Sequence, residues 1–62
     1  MQPEHEEEFK VHEQIGPFAM LTWCLAVLID VVEADMVGKE RDEHIEDSRE
    51  GIIKAMERFK ST

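Results

Sequence analysis

Cysteine, tyrosine and basic residues are what this chain has least of, and each shortage excludes something. Cys24 is the sole cysteine among 62 residues, so no intrachain disulfide can staple the fold, and a reducing cytoplasm is the expected setting. Lys and Arg number seven against fifteen Asp and Glu, for a formal net charge of −8. Residues 1–38 hold eight acids against the single base Lys10. Nucleic-acid backbones are bound by neutralising phosphates with Lys and Arg, so direct nucleic-acid binding is excluded as an expectation. A basic protein surface is the natural partner for such a chain. With three glycines and neither a G-x-S-x-G nor a Walker loop, the sequence offers no nucleophile elbow and no phosphate cradle. No enzyme activity and no cofactor are expected.

A long apolar span is also missing. The longest run, FAMLTWCLAVLI from Phe18 to Ile29, falls short of the roughly 20 residues a membrane-spanning helix needs. Widening it takes in Asp30, Glu33 and Asp35. The segment before it, QPEHEEEFKVHEQ, is acidic where a signal peptide is basic. The run is therefore expected to be a buried helix of a soluble protein.

What is present organises around that run. Residues 1–15 are acidic, with Phe9 and Val11 as the apolar residues between Met1 and Ile15. This composition reads as an arm, mostly disordered or extended. Gly16-Pro17 suits a helix start, with proline at the first helical position, and Gly38 suits the left-handed residue that ends a helix. A first helix over about 17–37 follows, then a turn over about 38–41. From Asp42 to Lys60 the spacing of Ile45, Ile52, Ile53, Met56 and Phe59 predicts a second, amphipathic helix. Residues 16–62 thus read as an all-α helical hairpin.

At 100° per residue, the first predicted helix is apolar around most of its girth. Phe18, Leu21, Leu25, Leu28, Val32 and Met36 make one face, and Met20, Trp23, Val27, Val31 and Ala34 make another. The stripe on the second helix is one side wide and covers one of these. The other is left bare. A 62-residue domain buries only about 60% of its unfolded surface and is marginal alone. Self-association about a two-fold axis into a four-helix bundle is the simplest remedy. The expected partner and dimer surface comprises Phe18, Met20, Leu21, Trp23, Val27, Val31, Ala34, Ile52, Met56 and Phe59. Beside the second stripe, Ser48, Gly51 and Ala55 form an edge of small residues on which another backbone can come close. In layout the chain resembles the short dimeric helical hairpins of plasmid copy-control proteins, a likeness of architecture only.

Two function classes emerge. The first is a small non-catalytic regulatory protein, a homodimer that binds and modulates another protein. Glu4, Glu6, Glu7, Glu8 and Glu13 would steer it to a basic surface. The second is a metal-binding helical bundle built on His44, Glu43, Glu46 and Asp47, since His with Asp or Glu is ordinary zinc or iron chemistry. Asp30-x-x-Glu33 with Glu43-x-x-Glu46-Asp47 also resembles the acidic clusters of the all-helical nucleotide pyrophosphohydrolases, which implies Mg²⁺ binding. The E-E-x-x-E element of that family is missing here.

Overall fold

A single glycine separates two of the three helices in this computed structural model, which describes residues 1–61. Helix α1 is Pro3–Ile15, α2 is Pro17–Glu33 and α3 is Gly38–Lys60. The architecture is all-helical with three helices, not the two of the expected hairpin. Gly16 sits at φ 147° and ψ 175°, a backbone region open essentially to glycine alone. Its N–H donates to the His12 carbonyl at the end of α1, and its own carbonyl accepts from Met20 N–H at the start of α2. One residue thus caps both helices and turns a sharp corner.

The N-terminal segment corrects the expectation of a disordered or extended arm. Pro3 stands in the first turn of α1 with Glu4 and Glu6 beside it, where a fixed φ and negative charge both suit a helix N-terminus. Its inward side is carried by His5 and Phe9, both buried, with half-buried Gln2 and His12. The spacing 2, 5, 9, 12 is helical. Three of those four positions are polar, so a count of apolar residues does not reveal the face.

The first predicted helix also ends earlier than expected. Asp35, not Gly38, takes the left-handed position, at φ 50°. Met36 N–H donates to the Val31 carbonyl and Asp35 N–H to the Val32 carbonyl, the paired bonds of a Schellman stop, and Met36 and Val31 are both half-buried. Aspartate is among the few non-glycine residues that adopt this conformation readily. Gly38, at φ 64°, starts α3 instead, so the turn falls at 34–37 and not at 38–41.

Helix α3 packs mainly on α2, and α1 covers the groove beside them. The core is Phe9, Met20, Trp23, Cys24, Val27 and Ala55. On α3 the residues turned inward are His44, Asp47, Ser48, Gly51 and Ala55, the small-residue edge and its polar neighbours. The large stripe of Ile45, Ile53, Met56 and Phe59 stays exposed, as do Phe18, Leu25, Ile29 and Val32 on α2. The expected dimer surface drew on both faces of α2, and the chain itself buries only part of it while Phe18 stays exposed. Met20, Trp23 and Val27 are buried within the chain, because α1 supplies the cover that a second copy was expected to give.

Close approach explains the choice of edge. A Cβ built on Gly51 would lie 2.5 Å from Cys24 Sγ and 3.0 Å from Met20 Sδ. Only glycine fits there. Gly51→Ala should therefore destabilise the fold by roughly 1 kcal/mol in urea unfolding, overpacking outweighing the gain in helix propensity. Combining it with Cys24→Ala should recover much of that loss, since the two sites are in contact. A Gly51→Ala protein more stable than wild type would contradict this packing.

Candidate interaction surfaces and the polar seam beneath helix α1

Helix α1 is held to the hairpin by a seam of polar bonds. His5 Nδ1 lies 2.6 Å from Asp47 Oδ2, both side chains nearly enclosed. An ionised carboxylate only accepts, so the hydrogen bond runs from the His5 ring to Asp47. The His44 ring stands edge-on to His5 at 4.6 Å between centroids, and His44 Nδ1 donates to the Glu40 carbonyl at 3.0 Å. Ser48 Oγ, buried in the same row, donates to the His44 carbonyl at 2.7 Å. At the outer end of the seam Gln2 Nε2 donates to Glu43 Oε2 at 2.8 Å.

Trp23 is the hub. Its Nε1–H donates to Glu8 Oε1 at 2.8 Å, and its ring meets His5 and Phe9 edge-on and stacks on His12. These are the arrangements that the aromatic quadrupole favours. At the far end Arg58 Nη1 donates to the Glu13 carbonyl at 2.9 Å, and Lys54 Nζ lies 3.3 Å from Glu13 Oε2. Among the described residues no buried side-chain nitrogen or oxygen lacks a partner. The seam is fully satisfied, the condition under which buried polar groups fix one packing and not several.

The four metal-ligand candidates are thereby dispersed. Asp47 is engaged by His5, Glu43 by Gln2, and Glu46 lies on the exposed side with Arg49. Among the described residues no three His, Cys, Asp or Glu side chains converge as metal ligands. Asp30 and Glu33 are exposed on α2, whereas Asp47 is buried under α1, so the two halves of the pyrophosphohydrolase-like pattern do not form one cluster. Burial pushes the Cys24 thiol above its ordinary value, its own backbone hydrogen bond pulling the other way, so this cysteine acts as a small core hydrophobe.

The acids expected to steer fare differently. Glu8 binds Trp23, Glu13 is taken up by Lys54, and Glu6 pairs with Lys10 at 3.3 Å. Glu4 and Glu7 make no ion pair or side-chain hydrogen bond among the described residues, and with Glu8, Val11 and His12 they line a shallow groove of about 330 Å³ along the outer side of α1. Of the ten expected interface positions, Met20, Trp23 and Val27 are buried. Phe18, Ala34, Met56 and Phe59 are exposed, and Leu21, Val31 and Ile52 are half-buried. Sequence reasoning missed Leu25, Ile29, Val32, Ile45 and Ile53 as surface residues, since their helical spacing marks a face without saying which way it points.

Comparison with family models, with curated proteins and with solved structures finds no match for this chain. Among the described residues no helix is long and apolar enough to cross a membrane.

The seam makes a direct prediction. Asp47→Ala leaves the enclosed His5 ring without its acceptor, and should cost about 1–3 kcal/mol in denaturant unfolding. The loss should concentrate in α1, with amide exchange rising more over residues 3–15 than over the centres of α2 and α3, and with Trp23 emission moving to the red. Uniform exchange across all three helices would show that the pair does not anchor α1.

Proposed function

We propose that this chain is a small acidic interaction protein without catalytic activity, which works as a homodimer and binds and modulates a protein partner bearing a basic surface. The observation that carries this reading is the division of the surface. One side presents an apolar face that its own fold does not cover. The opposite flank presents glutamates ordered along a helix. Large contiguous apolar patches are rare on monomeric proteins and mark interaction sites.

Order in α1 strengthens the electrostatic part. A disordered arm would lose conformational entropy on binding, whereas Glu4 and Glu7 already stand at i,i+3 on a folded helix. Val11, half exposed and lining the same groove, gives an apolar point one turn beyond Glu7. Complementary charge raises the rate of encounter and selects partners more than it adds raw affinity. A reducing cytoplasm suits a lone, buried thiol.

The test is the ionic-strength dependence of partner binding. With a partner captured from the native host and then purified, affinity should fall at least tenfold between low salt and about 0.5 M NaCl, where the Debye length shrinks to a few ångströms. Glu4→Lys combined with Glu7→Lys should weaken binding similarly at low salt and leave the helical content unchanged. Affinity indifferent to both salt and charge reversal contradicts the steering role.

A further inference from the structure

Of the ten positions through which self-association, as proposed above, was expected, Met20, Trp23 and Val27 are buried within the chain. The face that remains runs across both long helices. Phe18, Leu25, Ile29 and Val32 on α2 are 53–76% exposed, and Ile45 and Met56 on α3 are 43% and 51% exposed. Phe18 meets Phe59 edge-on at 5.2 Å, which joins the two stripes at one end. Near the other end Leu28, Ile45, Ile52 and Ile53, with Ser48 and Arg49, line an open groove of about 260 Å³ between the helices.

We infer that a second copy of this chain docks on this α2/α3 face, isologously, so that two hairpins meet as a central four-helix layer while both α1 helices stay on the outer flanks. This rests on the homodimer reading and specifies its surface. Size is the first reason. Eight large apolar side chains on α2 and α3, from Phe59 at 38% to Phe18 at 76%, stand exposed, a breadth that suits the ~800 Å² each partner contributes to a standard interface. The whole chain exposes 4470 Å², somewhat more than the ~4100 Å² expected of a monomer of 7.2 kDa.

Charge is the second reason, and it selects a copy over a lipid surface. Membrane-lying helices carry an excess of Lys and Arg beside their apolar face, whereas the polar residues of α2 are Thr22, Asp30 and Glu33 and α3 offsets its six bases with seven acids. Arg49 lines the groove within this face, a positive group placed where two chains of charge −8 would meet. A two-fold contact covers both patches and closes, leaving no apolar surface for further copies. The outward position of α1 keeps Glu4 and Glu7 accessible in the dimer.

Sedimentation equilibrium on the full chain tests this, with Leu25→Glu and Met56→Glu as variants and Val11→Glu as an exposed apolar control on α1. Leu25 and Met56 contribute little to the protomer core, so helical circular dichroism should persist; where it does not, Leu25→Gln is read in its place. The wild type should be a dimer at micromolar concentration and should tighten as salt screens the like charges. Each face variant should raise the dissociation constant at least a hundredfold, and the control should not. A wild-type dimer indifferent to both face substitutions overturns the assigned surface while leaving self-association standing. A wild type that stays monomeric at about 100 μM overturns both. Growth into larger assemblies overturns two-fold closure, and binding of the monomer to anionic vesicles through Leu25 overturns the choice of occupant.

Discussion

The whole arrangement depends on how closely α3 approaches α2 at Gly51. Because a hydrogen is all that residue presents, Cys24 and Met20 can seat directly against the α3 backbone. Ser48 and Ala55, one turn to either side, are buried along the same edge. Helix packing on a small-residue edge brings backbones close but leaves no room for large side chains in the seam. Ile45, Ile53 and Met56 are therefore turned to the outside, beside the bare face of α2, while Ile52 packs half-buried against the core.

This orientation also explains why α1 is needed. With α3 contributing serine, glycine and alanine to the core, α2 keeps Trp23, Met20 and Val27 without adequate cover. Helix α1 supplies it with Phe9 and with the hydrocarbon and ring portions of His5 and His12. The polar atoms that this brings inside are matched in pairs, His5 with Asp47 and Trp23 with Glu8. Apolar burial supplies the driving force and the paired polar atoms fix the register, since a shift of α1 by one residue would leave each of them desolvated and unmatched. The lone cysteine belongs to the same core, enclosed and protonated.

The helical class, the Gly16-Pro17 start, the amphipathic α3 and the use of Ser48, Gly51 and Ala55 as a contact edge were legible in the sequence, because each follows from local chemistry. Helix α1 was not. Its inward positions Gln2, His5 and His12 look solvated in composition and become core only through partners more than forty residues away, Glu43 and Asp47, or through the Trp23 ring. The choice between the two faces of α2 was equally hidden. Periodicity locates Phe18–Leu25–Val32 and Met20–Trp23–Val27 as separate stripes, but which of them is covered depends on whether α1 folds. Asp35 as the helix stop was obscured by a nearby glycine, the more common residue in that conformation. The metal candidates illustrate the converse, since neighbours along α3 are turned about 100° from each other, which leaves Glu46 exposed and Asp47 buried.

Nuclear Overhauser contacts of Gly51 test the central packing most directly. The α protons of Gly51 should show strong cross-peaks to the Cys24 β protons and to the Met20 side chain, while Ile45 and Met56 methyls show none to Trp23 or Val27. Gly51 α protons without contacts to α2, together with Met56 or Ile45 methyls seated against Cys24, would place the large stripe inward. That result would contradict both the observed core and the exposed face that follows from it.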